Sequence, residues 1–366
     1  MAWTRRFFDQ WEWYHKPISP MEESLLLPQH INRSTALFSK RLGIRFPAPE
    51  QTWKVIDGWL YFTDRYRQLF LQAGIIGLPG RFFGQLPIVK DHWLKEVQPK
   101  YQKRIDELKR LILESCKNDE LVDLVKKTVD TEGDLMAESM YVVLFAVPGE
   151  VALKYAYKTL AGDPNPSNYR ELLVGFPDRG IEADVVLWKI SQITDGAKQK
   201  AQLDKWLNEF GHRIQDKDIV FPTLGENAKM AAALIKLYKG APSPALRVKA
   251  AVKRRESREE YVKEHVGSWA WPFFEAIKKT AQEYARVRNS RPFYYQGNQL
   301  IRKMLITLAG RLPGINDPQD VFFVRFDELE KAVKIKTSEN IKEKIKERKA
   351  EYHKRLLTEP PLTIND

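Results

Sequence analysis

Two stretches of the sequence combine residue types that suit chemistry on an anion, and the first lies around Arg288. Arg288 and Arg291 crowd around Asn289 and Ser290, and Pro292 follows at a position where a helix can begin. The N–H groups at a helix start lack helical partners, and guanidinium groups beside them suit phosphate or another anion. Solvated charges at a helix junction explain the same residues equally well, so both interpretations stay open.

The second stretch follows a helix that we predict to end at Phe210. Gly211 fits the left-handed position that often follows a helix, and His212 and Arg213 come next, where the helix dipole favours cations. Glu226 follows after a proline-containing turn. The stretch raises the question of an active site, but composition alone favours a helix cap followed by a polar loop.

Aromatic residues are dense near the N-terminus, with six of them between residues 3 and 14. One interpretation is an N-terminal helix whose aromatic side chains pack on the rest of the protein. The other is an apolar wall beside a ligand, formed by Trp11, Trp13 and Tyr14 and positioned by the following Pro-x-x-Pro turn. The first interpretation is the more common outcome for such a pattern.

Composition excludes several classes of site and location. The single cysteine, Cys116, excludes an internal disulfide framework and a cysteine-based metal site. The histidines form no zinc motif, and neither a glycine-rich phosphate loop nor a serine nucleophile elbow occurs. No apolar run approaches the ~20 residues that span a bilayer, and the N-terminus lacks a signal-peptide pattern. We therefore expect a cytoplasmic protein with no membrane partner.

The net charge of +12 favours an anionic partner. The basic runs at 248–260 and 334–355 interleave acids with bases at helical spacing, which is typical of a solvated helix face. No nucleic-acid-binding motif accompanies these runs, so nucleic acid is the less favoured partner. An acidic protein partner or a phosphate-bearing ligand explains the positive charge at least as well.

Helical periodicity dominates the chain and predicts an all-α fold, a multi-helix bundle with little or no sheet. The predicted helices span 53–74, 91–117, 134–162 with an interruption near Pro148, 181–194, 197–210, 226–238, 257–287, 294–312 and 336–356. Short strand-like pieces occur at 218–223 and 320–326. The proline-rich stretch 161–171 is the strongest linker signal. It divides the chain into two closely packed helical lobes, residues 1–165 and 166–366.

Four short motifs, in this order along the chain, resemble a single known region. They are HKPISP near the start, LLVGF with EADVVLW, FGHR with a later FP and Glu226, and RNSRPFY leading to DPQDVFFVRFDELEKAV. Together they resemble the central helical part of the phosphoenolpyruvate-synthase-like phosphotransferases, the group that includes rifampin phosphotransferase and phenylphosphate synthase. The resemblance runs over residues 9–360, and its best pieces are 210–213, 288–293 and 320–328.

In that family an ATP-grasp domain binds ATP, a swivelling domain carries a phosphorylatable histidine, and the helical middle binds the acceptor. The implied reaction converts ATP, acceptor and water into AMP, inorganic phosphate and phosphorylated acceptor. The resemblance implies that this chain is the acceptor-binding subunit or domain of such an enzyme, inactive alone. Its acceptor would be a hydroxyl compound, and an aromatic or hydrophobic one would suit the N-terminal aromatic residues.

The other modules would be partners of this chain. The sequence has nothing like the ATP-grasp lysine and acidic metal ligands, and no Thr/Ser-rich histidine motif. We therefore expect no cofactor in this chain, with ATP and Mg²⁺ on an ATP-grasp subunit and the phosphohistidine on a swivelling-domain subunit. The chain would be one subunit of a split enzyme or a piece of a longer one.

Site residues follow from the resemblance position by position. Arg288 takes the place of an arginine that lies beside the catalytic histidine in rifampin phosphotransferase. The lysine four residues later is Pro292 here, and Arg291 is a nearby substitute. The two arginines would then clamp the travelling phosphoryl group, whose charge is spread over three oxygens.

The remaining matches concern the acceptor. Glu12 matches a polar residue before the Pro-x-x-Pro turn, His212 and Arg213 match a Gly-His-Arg element, and Glu226 matches the acid after the proline-containing turn. His212 or Glu12 would serve as the base or hydrogen-bond acceptor for the hydroxyl.

Two alternative functions come from other classes. A non-catalytic helical scaffold would keep the fold and bind only partner proteins, and Pro292 in place of the lysine motivates it. A basic nucleic-acid binder is the third hypothesis, and it is less favoured because no recognition motif supports it.

Overall fold

The structure is a computed structural model that describes residues 2–5, 14–43, 45–65, 88–214, 216–335 and 340–365. It is 72% helical with only a small sheet, which confirms the predicted all-α bundle. The α-helices are α1 (Pro20–Leu42), α2 (Gln98–Lys109), α3 (Asn118–Leu160), α4 (Arg179–Ser191), α5 (Gly196–Phe210), α6 (Ala228–Lys239), α7 (Pro244–His265), α8 (Trp271–Ser290), α9 (Gly297–Ala309), α10 (Phe326–Ile335) and α11 (Ile341–Arg355). Short 3₁₀ segments are Pro49–Gln51, Leu113–Ser115, Pro166–Leu173, Leu224–Glu226, Arg291–Tyr294 and Pro318–Phe323, and Trp93–Val97 is π-helical.

Four short strands form one antiparallel sheet. They are β1 (Ala2–Thr4), β2 (Trp53–Ile56), β3 (Trp59–Thr63) and β4 (Thr363–Asn365), in the order β2-β3-β1-β4. Trp3 pairs with Thr63 on one side and with Ile364 on the other, so the two ends of the described chain meet in the sheet. Leu60 and Phe62 face the main core, while Trp59 and Tyr61 pack with Trp3 on the opposite face.

The helix predicted over 53–74 is wrong for residues 53–63, which form a β-hairpin. Asp57 and Gly58 both have positive φ, 49° and 77°, and together make the two-residue loop. Such a loop matches the twist of the flanking strands, and an Asp-Gly pair between β-branched and aromatic residues is a strong hairpin signal. The broad apolar stripe at helical spacing concealed this local signal.

Helix α3 is longer than predicted and has no interruption. It runs for 43 residues through Pro148 and packs against α1, α8 and α9. Proline inside a helix costs about 3 kcal/mol because a hydrogen bond is lost and the ring is crowded. Apolar burial along 135–146 favours the continuous helix by more than that.

Other predicted boundaries change for local reasons. The helix predicted over 257–287 is two helices, since α7 ends at His265 and Gly267 lies in the turn before α8. The strand-like piece at 218–223 is a turn, and residues 318–323 are a 3₁₀ segment capped by Asp317. Residues 2–4 are a strand rather than the start of a helix, and Ser19 caps α1. A short apolar run is compatible with a helix, a strand or a turn, so its capping residues and packing partners determine which of these forms.

Apolar side chains collect in several clusters. The largest joins α1, α3, α9, α10 and α11, and so contains residues from both sides of the predicted division at 165/166. A second joins the end of α3 to 166–173, α7 and α8, and a third joins α4, α5 and α6. The arrangement into two lobes stays a prediction.

Within the described residues, one helix is long and apolar enough to cross a membrane by length and composition. That helix is α3, and 61% of its most apolar window is buried inside the protein. Burial of this kind is typical of the core helix of a soluble protein.

Candidate functional site

Ionisable side chains lie together where α1, α3, the 216–220 turn and the residues before α9 meet. We call this group the buried polar cluster. It comprises Tyr14, Glu22, His30, Glu132, Ser139, Lys217, Asp218, Arg291 and Tyr295. Because ionisable groups rarely lie inside a protein without a reason, this cluster is the candidate functional site.

Glu22 and Asp218 tie the start of α1 to the turn after α5. The Tyr14 hydroxyl donates to Glu22 Oε1 at 2.5 Å, and the Ile219 N–H donates to Glu22 Oε2 at 3.0 Å. Asp218 accepts the Ser19 N–H at 2.5 Å and the Ser19 hydroxyl at 2.7 Å. These bonds hold two segments, about 200 residues apart in sequence, against each other.

Burial makes both carboxyl groups hard to ionise. It raises the pKa of Glu22 well above its usual value, and the neighbouring Asp218 raises it further. Burial raises the pKa of Asp218 to about 6, although its hydrogen bonds from Ser19 favour the charged form. The two groups interact, so the pair releases its protons at higher pH than two free carboxyl groups would.

Glu132 is the third buried carboxyl group, and it lies on α3. Its Oε1 accepts the Gly297 N–H at 2.6 Å and the Tyr101 hydroxyl. Burial raises the pKa of Glu132 to about 7, against these hydrogen bonds and the charge of Lys217. Among the described residues, no hydrogen bond engages Glu132 Oε2.

Lys217 lies at the centre of the buried polar cluster. Its Nζ is 3.8 Å from the centroid of the Tyr295 ring, a cation–π contact. Its charge also lowers the pKa of Glu22, His30 and Glu132, which places it within electrostatic reach of all three. Burial and Lys217 together lower the pKa of His30 to about 3, so this imidazole is neutral at physiological pH.

Arg291 is a half-buried cation, and two of its donor atoms are buried. Its Nε and Nη1 are buried and have no hydrogen-bond partner in the described part of the chain. Its charge opposes the burial that raises the pKa of Tyr295, whose hydroxyl lies 2.5 Å from Ser139 Oγ. His30 Nε2 and Asn298 Oδ1 are also buried and have no partner among the described residues. Native proteins leave few such groups unpaired, so a bound ligand would account for them.

The sequence-predicted site residues divide into three groups, and the first involves the cluster. Tyr14 and Arg291 both belong to it. Tyr14 is buried and has a φ of 42°, an uncommon conformation for a residue with a side chain. Trp11, Glu12 and Trp13 lie outside the described residues, so their assignment stays a prediction.

Arg288 and Glu226 instead take part in ion pairs. Arg288 Nη1 contacts Glu150 Oε2 at 3.0 Å across α8 and α3. Glu226 Oε2 accepts from Arg302 Nη2 at 2.7 Å and from Arg302 Nε at 2.9 Å. A phosphate role for Arg288 would require it to leave Glu150 or use its other donors.

His212 and Arg213 lie just past α5, beside the turn at 223–226. The backbone on either side of His212 is paired, since Gly225 N donates to Gly211 O and Leu224 N donates to Arg213 O. Gly211 has a φ of −71°, so the predicted left-handed cap is wrong. Arg213 lies 3.6 Å from Asp184 in a half-exposed pair.

Sequence reasoning missed most of the acids in the site. Glu22 looks like an ordinary first-turn acid of α1, and Glu132 lies on a long apolar helix. The signal in the sequence was an acidic residue at a position of α1 or α3 that faces the core. Such a position can be recognised only when the buried face of each helix has been predicted correctly. Asp218 was visible as a polar residue in the stretch after His212 but had no assigned role.

A depression of about 510 Å³ lies on the protein surface beside α7. It is lined by Glu171, Ala250, Lys253, Arg254, Ser257, Arg258 and Tyr261. Arg258 is neutralised there by Asp163 at 2.6 Å and Glu171 at 2.9 Å. The candidate site therefore stays with the buried polar cluster, where a cation has unused donors.

No protein-family model matches the chain, and no curated protein sequence is significantly similar to it. The resemblance to phosphoenolpyruvate-synthase-like enzymes stays a prediction. Among the described residues, no group of three or more His, Cys, Asp or Glu side chains is arranged to hold a metal ion.

Substituting Gly297 by alanine is expected to destabilise the protein by about 1–3 kcal/mol, as overpacking does in a filled core. A β-carbon at Gly297 would overlap the Glu132 carboxyl group. Gly196 also begins a helix, and a β-carbon there would meet nothing within 4 Å. Urea unfolding of Gly297→Ala and Gly196→Ala tests this difference, and equal stability of the two variants would contradict the tight packing at Glu132.

Proposed function

We propose that this chain is the acceptor-binding component of a phosphoenolpyruvate-synthase-like phosphotransferase. It binds a hydroxyl compound, and a phosphohistidine on a partner subunit or domain delivers the phosphoryl group. The observation that carries the proposal is the Arg291 guanidinium, whose buried Nε and Nη1 have no hydrogen-bond partner among the described residues. Arg291 and the buried Glu132 both lie within electrostatic reach of the Tyr295 hydroxyl.

The chemistry supports a role for such a cation. Phosphoryl transfer has a loose transition state with charge on three equatorial oxygens, so fixed donors aimed at those oxygens supply most of the stabilisation. A guanidinium group shielded from water interacts more strongly with a phosphoryl group than an exposed one. We assign this contact to Arg291, and Arg288 is its neighbour, held by Glu150.

The acceptor would lie among aromatic side chains. Tyr14 and Tyr295 belong to the buried polar cluster, and Trp11 and Trp13 immediately precede Tyr14 in sequence. An aromatic or hydrophobic alcohol or phenol suits these neighbours. ATP and Mg²⁺ would bind to an ATP-grasp partner, and we expect the complex in the cytoplasm.

The experiment uses an extract of the source organism from which the gene for this chain has been deleted. The extract supplies partners and acceptor, and ATP labelled in its β-phosphoryl group is added with the purified chain. We expect label on a small alkali-stable phosphoester only when wild-type chain is present. The chain alone should not hydrolyse ATP.

Arg291→Ala should reduce this labelling at least ~100-fold, the typical effect of removing one transition-state donor. Arg254→Ala, which changes an exposed arginine on α7, is the matched control and should behave like wild type. Full labelling with Arg291→Ala would overturn the phosphate role of Arg291.

A scaffold is the second candidate, and the ion pairs of Arg288 with Glu150 and of Glu226 with Arg302 favour it. Two predicted site residues would then serve stability. A wild-type chain that co-purifies with partners yet adds no phosphoester to the extract would establish the scaffold instead.

A further inference from the structure

Glu132 belongs to none of the motifs that carry the family resemblance, yet it has the geometry of a fixed proton acceptor. It is 1% exposed and lies on α3, the longest helix described. Two donors from different elements, the Gly297 N–H and the Tyr101 hydroxyl, hold its Oε1. Oε2 has no hydrogen-bond partner in the described residues. One oxygen therefore fixes the carboxyl group, and the other is available to a ligand.

Tyr101 strengthens this arrangement. Its hydroxyl accepts the N–H groups of Gln296 and Gly297 at 2.9 Å and 3.0 Å while it donates to Glu132. The side chain on α2, the acid on α3 and the start of α9 thus form one closed hydrogen-bond network. Positioning by such a network is what a site needs to hold a reacting group in place.

Glu132 and Arg291 act on the same small region. The pKa of Tyr295 is lowered by Arg291 and raised by Glu132, so both charges lie within electrostatic reach of one hydroxyl. The Tyr295 hydroxyl in turn contacts Ser139, two helical turns from Glu132 on α3. A ligand beside Tyr295 would therefore meet a cation and a carboxyl oxygen, both with unused hydrogen-bonding capacity.

We infer that Glu132 takes the proton from the acceptor's hydroxyl group as the phosphoryl group arrives, an inference that rests on the proposed function. The acceptor oxygen forms a bond to phosphorus while the phosphorus–nitrogen bond of the partner's phosphohistidine breaks. The electron pair of that bond returns to the imidazole, which leaves neutral because its other ring nitrogen carries a proton. The hydroxyl proton passes to the Glu132 carboxylate and then to solvent, so atoms and charges balance.

The surroundings of Glu132 suit this role. Burial raises its pKa to about 7, close to the pH at which a general base works best. The groups that face it are Tyr101 from α2, Lys217 from the 216–220 turn, and Tyr295 before α9. His30 on α1 is neutral, and Lys217 opposes the burial by favouring the carboxylate.

The test follows labelled phosphoester formation in the gene-deleted extract between pH 5.5 and pH 9. With wild-type chain the rate should rise with pH through a midpoint near 7 and then level off, following Glu132 ionisation. Glu132→Gln keeps an oxygen to accept from Gly297 but cannot take a proton. It should lower the rate by ~100-fold or more and abolish the rise with pH.

Asp134→Asn is the matched control, since Asp134 lies two residues further along α3 with a 71% exposed side chain. It should keep the wild-type rate and pH profile. If Glu132→Gln does not unfold cooperatively on heating, the Glu132→Asp variant is used in its place. A slower reaction whose rate still rises with a midpoint near pH 7 would support the inference, and a rate that does not change with pH would overturn it.

The outcomes separate the two proposals. Suppose that wild-type chain gives labelled phosphoester and that Glu132→Gln gives the same rate and the same pH dependence. This result would overturn the role of Glu132 and leave the proposed function standing. No labelling with wild-type chain at any pH would overturn both.

Discussion

Replacing Arg302 by alanine is expected to lower the free energy of unfolding by about 3–5 kcal/mol, because a fully buried guanidinium and its ion pair with the largely buried Glu226 are lost. Arg302 is 0% exposed, and it bonds to both oxygens of Glu226 at 2.7–3.0 Å. It also donates to the Ile219 carbonyl and to Gln319 at 3.1 Å, and it packs on the Phe322 ring. Truncation removes all these contacts at once.

Urea unfolding measures this effect, and Arg179→Ala is the control. Arg179 also contacts two acids, Glu182 and Glu209, but its side chain is 38% exposed. Exposed pairs contribute at most about 1 kcal/mol, so the control should change little. The variant that combines Arg302→Ala with Glu226→Gln should recover part of the loss, because no unpaired charge then remains.

A loss below about 1 kcal/mol for Arg302→Ala would mean that solvent screens the Glu226–Arg302 pair and that the pair does not organise the interior. The expected loss also bears on the candidate site. Arg302 holds the carbonyl of Ile219, whose N–H donates to Glu22. Arg302→Ala should therefore loosen the buried polar cluster as well as the helix packing.

Stability is expected to fall as the pH rises from 4.5 to 7, and Glu132 alone should account for about 3 kcal/mol. Its pKa rises from 4.5 to about 7 on folding, so the folded state binds more protons than the unfolded state between these values. Stability is fully present below the unfolded pKa and is lost as the pH passes through the folded one. Above both values the loss is complete and the curve is flat.

Ionisation of Asp218 also lowers the stability as the pH rises, but over a lower pH range. Its pKa rises from 3.8 to about 6, which corresponds to a further loss of about 3 kcal/mol between those values. Glu328 acts in the opposite direction. Hydrogen bonds from Arg348 and Lys344 lower its pKa to about 2, so its contribution is gained between pH 2 and its usual value of 4.5. The two effects therefore act in largely separate pH ranges.

Urea unfolding at pH 5 and pH 8 tests the prediction directly. Glu132→Gln should show a smaller loss between the two values, since glutamine does not ionise. Asp134→Asn should keep the wild-type dependence because its side chain is exposed. Identical pH dependence in wild type and Glu132→Gln would show that Glu132 ionises normally in the folded protein.

Most of the helices were predictable because their signals are local. Apolar spacing indicated α4, α5 and α6, and capping side chains such as Asp178, Asp195 and Asn227 mark their starts in the structure. The hairpin at 53–63 was missed, although its Asp57–Gly58 loop is also a local signal. Its aromatic residues satisfy a helical stripe and a two-sided strand equally well.

The site was only partly predictable. Arg291 and Tyr14 stood out because each lies in an unusual local run of residues. The partners of Arg288 and Glu226 could not be read in the same way, since Glu150 and Arg302 lie 138 and 76 residues away in sequence. Whether an arginine is available to a ligand or neutralised by an acid depends on such distant partners.

The sequence by itself determined the helical class of the protein and nominated a basic segment before α9, because periodicity, caps and turn residues act over a few positions. The tertiary structure alone decided that Glu22, Glu132 and Asp218 share one interior with Lys217 and Arg291. Their proton affinities arise from burial and from one another's charges. Burial and proximity exist only after α1, α3 and α9 have packed together.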